Sequence, residues 1–477
     1  MSADVTRRIA SFAHEVRVGG APDDVRRSAR QRIIDIVGLQ LAALRLPTSQ
    51  AALRFVAEQG GAAQASVVGA PARVPAAWAA FANGVLAHSL DYDDTHLPSV
   101  LHPSAGVVPA ALAVAESVGA EGDAVLDAVA AGIEVTVRLG MAGYDRESNN
   151  SIYFEHGQHA TSICGTIGAA VAAGMLHGFD ADRLTDVIGV AASMASGVIE
   201  ANRTGGTVKR MHCGWAAHAG ATAAELVRHG FTGPPTALEG RFGLFEGFLH
   251  GRVDLAAVTD GLGEEWAVPG IFFKPYPANH FTHTAVDAAR RVRERGIRPS
   301  DVTAVTLEVA TPTVRTIGEP LAVKQSPETG YQAQFSGPFA VTVGLFGGEG
   351  LGAGLGDYTD ELAQDAERRA LMAKVEVVGS PECDAIYPFQ FPCVLRVTTA
   401  AGDTVVEKVL VNRGGPADPL SDDELAVKFS TNAQRALAPE AVATLLSTLS
   451  DRLDVVAASG VLRTAASSPA LATAVAG

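Results

Sequence analysis

The chain has 477 residues, more than one ordinary core organises, so two domains are expected. Acidic residues outnumber basic ones by 52 to 37, a formal charge of −15, which argues against nucleic acid or an anionic membrane as partner. Any anionic substrate would then need a local cationic pocket. The four cysteines, Cys164, Cys213, Cys383 and Cys393, are spaced too widely for a disulfide framework or for the clustered thiolates of an iron–sulfur centre. The first residues carry Arg7 and Arg8 but no continuous apolar stretch. Longer apolar runs such as Ala105–Val114 are broken before they reach membrane-spanning length. A cytoplasmic location is the resulting expectation.

In chain order, the first half reads as helices. Val25, Ala29, Ile33, Ile36, Val37 and Leu41 recur at the three- and four-residue spacing of one helix face. Helical patterns follow at Pro75–Asp91, Gly106–Gly119, Glu121–Gly140, His159–Gly178, Ala181–Ser196, His212–Gly230 and Leu238–Leu249, with Gly or Pro between most of them. The abundance of Ala and Gly implies close helix–helix contact. Near Val268 the texture changes to clustered prolines and β-branched alternation, at Val302–Val309, Ala373–Val378, Val394–Thr399 and Asp403–Val411, with helical stretches at Thr282–Arg295 and Phe335–Leu345. Helical periodicity returns after Gly414-Gly415-Pro416. The fold class expected is mainly α with an α+β part. A large helical domain would span 1–265 and be completed by 416–477, with a smaller α+β domain, 266–415, inserted. The glycine-rich Gly347–Gly356 lacks dinucleotide-binding spacing and leads into acidic residues, so it reads as a surface loop.

Three stretches carry chemistry. The densest is Asp91-Tyr92-Asp93-Asp94-Thr95-His96, followed by His102-Pro103-Ser104, at the exit of an alanine-rich helix. Carboxylates and histidines gathered there can orient a substrate hydroxyl and exchange protons near neutral pH, whereas acids sit poorly at a helix C-terminus for structural reasons alone. If the helix continues, Asp91 and Thr95 share a face. The second is Glu155-His156-Gly157-Gln158-His159 before an apolar helix, where His159 would lie near backbone N–H groups that favour anions; a capping role fits it equally well. The third is Thr204–His212. Only six of the 37 basic residues are lysines, and the first, Lys209, stands in a Gly-rich loop, where a compact ammonium could clamp a carboxylate or stabilise the enolate beside it. The spacings His156/His159 and His280/His283 are compatible with a metal, but neither has CxxC or HExxH context, so no metal and no cofactor are expected.

Over almost its full length the sequence resembles the MmgE/PrpD family. The resemblance is carried by Ala82-Asn83-Gly84 leading into Asp91–Thr95, by His102-Pro103-Ser104, and by His159 through Gly165-Thr166. Further matches are Lys209-Arg210-Met211-His212 with Gly214-Trp215-Ala216-Ala217, Phe273-Lys274-Pro275-Tyr276-Pro277, and Gln334-Phe335-Ser336. It implies a helical domain with a smaller α+β lid, a homodimer, and an active site in the cleft between the domains. Family activities include 2-methylcitrate dehydratase, cis-aconitate decarboxylase and iminodisuccinate epimerase, all without an iron–sulfur cluster. By position, the resemblance implies a site of Asp91, Thr95, His102, His159 and Lys209. His102, Asp91, His159 and Lys209 would be catalytic; Thr95, Lys209, His159 and His280 would bind substrate. Family decarboxylases carry a lid histidine where this chain has Asn279, with His280 one step along, and a lid tyrosine that Pro320–Val323 lacks. The epimerase lacks the lysine matching Lys209. These departures point to dehydration of a 2-methylcitrate-like hydroxy acid, ahead of epimerisation or decarboxylation. From other classes, a metal-dependent hydrolase using the histidine pairs and a non-catalytic carboxylate-binding protein are the alternatives.

Overall fold

The computed structural model describes residues 4–147 and 150–465. The described residues form two compact units, one drawn from within 1–271 and 432–477 and the other from 272–431. The return to the helical unit thus comes later than the change of texture at Pro416 suggests, and most of the Asp422–Ala433 helix lies within the second unit.

Among the described residues, the first unit is helical apart from two short antiparallel strand pairs. Its centre is a group of mutually packed helices: Ala76–His88, Ser104–Val118, Asp123–Ala142, Ala160–Leu176 and Val208–Arg228, with Asp23–Ala43 against them. Their facing surfaces are small residues, and the backbones come correspondingly close. A Cβ on Gly84 would stand 2.8 Å from the carbonyl oxygen of Cys213, and one on Gly214 would stand 2.6 Å from the carbonyl oxygen of Phe81. That contact sets the last turns of Ala76–His88 against the first turns of Val208–Arg228. A similar approach joins Gly132 and Gly168, where a Cβ on Gly168 would be 2.3 Å from the carbonyl oxygen of Gly132. No described helix is long and apolar enough to cross a membrane.

The second unit is built on a four-stranded mixed sheet in the order Val375–Gly379, Val302–Val309, Cys393–Thr399, Thr404–Val409. The first pair is parallel and the others antiparallel. Helices His283–Glu294 and Gly337–Phe346 pack on each other and on strands of this sheet, burying Val286, Leu307, Phe339 and Leu395. The strands fall where β-branched alternation placed them. Several short helices here, such as Thr311–Ile317 and Ala366–Met372, leave too little periodicity in the sequence to be read.

Three local expectations are corrected. The helix expected over Pro75–Asp91 stops at His88, so Asp91 and Thr95 share no helix face. Asp91 itself adopts φ +52°, a left-handed conformation that Asp tolerates better than most residues. Lys209 is not in a loop: it is the second residue of the Val208–Arg228 helix, after Gly205 and Gly206. Of Leu238–Leu249 only Leu244–Leu249 is helical, because Gly243 enters with extended backbone packed against the carbonyls of Ala237 and Leu238.

The Gly214 contact leaves no room for a side chain. Gly214→Ala should therefore lower stability by about 1–3 kcal/mol, read as a lower denaturant midpoint with unchanged slope. A variant as stable as the parent would show that the two helices can separate freely.

Candidate active site

Beyond His88 the chain leaves the helix and runs through Asp91–Thr95. A short turn then closes, with His96 and Leu101 exchanging backbone hydrogen bonds at 2.9 and 3.3 Å, and the next helix opens at Ser104. The anchor of this segment is Asp94. Its buried carboxylate accepts from the backbone N–H (3.2 Å) and hydroxyl (2.5 Å) of Ser104 and pairs with the buried guanidinium of Arg32 at 3.2 Å. Arg32 also donates to the carbonyl of Ile271 at 2.7 Å. Burial pushes the Asp94 carboxyl up to about 6, against the opposing pull of Arg32 and Ser104.

The backbone of Asp94 has a second task. Its carbonyl oxygen lies 2.8 Å from Nδ1 of His102. A carbonyl can only accept, so Nδ1 of His102 carries the proton, and in the neutral ring Nε2 is left with its lone pair. Nε2 stands 3.7 Å from Oδ1 of Asp91, whose Oδ2 is 3.2 Å from Nζ of Lys209. Asp91 and Lys209 are both partly exposed, while His102 is nearly buried. Behind His102, Oδ2 of Asp93 lies 3.6 Å from its Nδ1 and 2.8 Å from Nδ1 of His88. Both members of the His88–Asp93 pair are buried. Burial works against charge on His88 more strongly than any other single influence. Asp93, aided by Cys213, outweighs it and raises the histidine to about 10. At neutral pH His88 is therefore a buried cation compensated by Asp93.

On the other side, His159 is the N-cap residue of Ala160–Leu176 and is buried; its backbone N–H donates to the carbonyl of Gly197. Its ring sits 4.8 Å from that of His212 and 6.1 Å from that of His88. Burial, reinforced by His88, His212 and Lys209, holds it well below the usual histidine range, so it is neutral. Thr95 is buried, and among the described residues its hydroxyl has no hydrogen-bond partner. Buried hydroxyls are usually satisfied, which makes this one available to a ligand.

Helix exit, helix N-terminus and Lys209 helix thus bring His102, Asp91, Lys209 and His159 around one neighbourhood of the first unit. His280 lies in the second unit, buried in a one-turn 3-10 helix with its ring 4.7 Å from His283 and 5.4 Å from Phe391.

The MmgE/PrpD N-terminal domain matches residues 7–255, and the MmgE/PrpD C-terminal domain matches residues 276–451. The chain belongs to the MmgE/PrpD family. Among its relatives is human cis-aconitate decarboxylase, 28% identical over 470 residues, spanning 95% of this chain and 93% of the human protein. The mouse cis-aconitate decarboxylase is 27% identical over 463 residues, 94% of this chain and 90% of that protein. A cis-aconitate decarboxylase of Aspergillus terreus is 27% identical over 454 residues, 90% and 89% respectively.

Beside the residues that the family resemblance placed in the site, the structure engages five more: Arg32 and His88, outside the three chemistry-bearing stretches, and Asp93, Asp94 and His212, within them. The three aspartates within Asp91–Asp94 look alike in sequence, yet one faces Lys209, one His88 and one Arg32. His88 ends an apolar helix and His212 closes a quoted family motif. The available signal was a histidine ending an apolar helix for His88 and a run of acids just beyond it for Asp93 and Asp94, whereas Arg32 stands among several arginines of its helix and offers none.

One donor atom from each of His88, Asp91, Asp93 and His102 falls within 4.8 Å of the others, a spacing that could admit a cation. Cations of the chain itself already occupy the two carboxylates, Lys209 facing Asp91 at 3.2 Å and His88, raised to about 10, pairing with Asp93 at 2.8 Å. Of the histidine pairs weighed from spacing, His156 packs on His250 at 4.7 Å while His159 pairs with His212, so the first pair does not converge. Turnover should accordingly survive dialysis against a strong chelator. Activity lost on chelation and restored by one divalent metal would reverse this.

The His88–Asp93 pair also predicts a pH dependence. Because the histidine is raised above its unfolded value of 6.5, its contribution to stability is complete below about pH 6.5 and lost as pH rises towards 10. In Asp93→Asn the cation loses its partner, and this alkaline decline should flatten. Melting temperatures of both proteins between pH 6 and 10 test it; parallel curves would show that the pair is not ionised.

Proposed function

We propose that this protein is a lyase of small polycarboxylates of the citrate–aconitate kind, in which His102 moves a proton on a carbon beside a substrate carboxylate. The observation that carries the reading is the fixed tautomer of His102: Nδ1 is committed to Asp94, and Nε2 is presented beside Asp91 and Lys209. Removing a proton next to a carboxylate builds negative charge on that carboxylate, and only groups that meet the charge as it forms speed the step. Lys209 supplies a cation and His159 a neutral ring for it. Asp91 orients His102 and receives Lys209 when no substrate is present. Thr95 donates its unpaired hydroxyl. When His102 becomes an imidazolium, Asp93 lies on its far side to compensate.

Two bond cleavages are compatible with this step. Decarboxylation of an unsaturated tricarboxylate, with loss of CO2 and delivery of a proton to carbon, is favoured by the names of the relatives. Dehydration of a 2-methylcitrate-like hydroxy acid, in which the departing hydroxyl takes the proton, is favoured by Asn279 and the missing tyrosine in Pro320–Val323. The relatives weigh more, because they align along nearly the whole chain. Proton NMR of cis-aconitate, citrate and 2-methylcitrate in deuterated water separates the two. An olefinic methylene product with CO2 release marks the first, and an unsaturated tricarboxylate formed from the hydroxy acid marks the second. Inertness towards the whole C4–C7 polycarboxylate panel would sink the reading.

His102→Asn should reduce kcat by about 10²–10⁴-fold, with substrate carbon–deuterium exchange falling in parallel. Substrate should still raise the melting temperature of this variant, since Lys209 and His159 remain. Lys209→Ala should lose that protection as well as turnover, and Lys209→Arg should recover little, because a planar fork does not replace a compact ammonium. A His102 variant that exchanges protons at the parental rate but binds poorly would move the base to Asp91.

A further inference from the structure

His212 lies in the second turn of the Val208–Arg228 helix, with its Nδ1 2.9 Å from Nδ1 of His159. Two ring nitrogens at that distance need one proton between them: one ring donates and the other accepts. The arrangement therefore links the protonation of the far nitrogens. If His159 donates through Nδ1, its Nε2 is a bare lone pair that repels a carboxylate. If His212 donates, Nδ1 of His159 accepts and its Nε2 carries a proton that can be given to a carboxylate.

We infer that His212 is a positioning residue that holds neutral His159 in its Nε2–H tautomer, so that an uncharged ring donates a hydrogen bond to the substrate carboxylate. The inference rests on the reading that His159 meets that carboxylate. Several observations support it. Among the described residues, the imidazole of His159 has no hydrogen-bond partner other than His212, so its far nitrogen is uncommitted. His212 is fixed at the start of its helix, with its carbonyl accepting from the hydroxyl of Ser162, one turn into the helix that His159 caps. Burial drives both rings below the usual histidine range, His212 to about 4. Neither is an imidazolium at neutral pH, and the pair holds a single shared proton. The cations His88 and Lys209 act on both rings. They supply the attraction for an anion while making a third positive charge costly, so a neutral donor is what this position can offer.

The test is tautomer assignment by two-bond proton–nitrogen correlation on the 15N-histidine-labelled full chain, with tricarballylate as an unreactive tricarboxylate probe. His159→Gln identifies the signal. The expected result is a neutral His159 with protonated Nε2 and bare Nδ1 in the presence of the probe. A protonated Nδ1, or a doubly protonated ring, overturns the inference. In parallel, His212→Asn keeps an N–H close to the position of Nδ1, whereas His212→Phe keeps bulk and removes the donor. The probe Kd should rise about ten-fold or more in the Phe variant and stay within about three-fold in the Asn variant. Equal losses in both, or no loss in Phe, would reduce His212 to packing. Should the Phe variant fail to fold, the assignment in the parent protein still decides. The two readings fail separately. A His159→Gln variant with parental turnover removes the functional reading and leaves the tautomer standing; an essential His159 protonated on Nδ1 removes the inference alone.

Discussion

A carboxylate taken out of water must be paired, and at Asp94 that requirement organises the site. Its side chain is held by Arg32 and Ser104, and its own carbonyl holds His102. A buried carboxylate that loses its partner costs roughly 3–5 kcal/mol, so the segment cannot slide or rotate without a heavy cost. The neighbouring residue obeys the same rule in the opposite direction, since Asp93 turns to His88. Two consecutive buried acids, each paired to a different cation, clamp the chain at a point where it has just left a helix. The orientation of His102 follows from this electrostatic clamp, with no metal or cofactor invoked.

The clamp works because its supports are close. Gly84 and Gly214 let two helix backbones touch, which sets His88, at the end of one, near Cys213 and His212, at the start of the other. Arg210 ties the same helices again by donating to the carbonyl of Ser89 at 3.1 Å. A bulkier interface would hold the helices farther apart and draw Lys209 away from Asp91. The small-residue packing of this unit is thus part of the electrostatics.

Sequence patterns conveyed the helical character of the first half and the strands of the second, while the grouping of Asp91, Thr95, His102, His159 and Lys209 was implied by the family resemblance. The patterns did so because amphipathic and alternating periods survive in one dimension. What they could not convey was direction. Asp91, Asp93 and Asp94 differ only in which way each side chain turns, and that is set by partners 62 residues away at Arg32 and 118 away at Lys209. The position of Lys209 was misjudged for a related reason. Gly205-Gly206 signals a loop, but the helix begins two residues later and takes the lysine into its first turn. His280 has its ring among His283, Phe272 and Phe391, a setting that sequence spacing does not reveal.

Val100, in the turn that joins His96 to Leu101, sits at φ +54°, a conformation that a β-branched side chain resists. Residues held in such regions store on the order of 1–3 kcal/mol. The turn lies between Asp94 and His102, so its strain is held between two residues that the Asp94 carbonyl ties together. Native-state opening begins where the free-energy cost is least, and here the strained turn lowers that cost locally. The amides of the turn around Val100 should therefore exchange with solvent before those of the helices on either side.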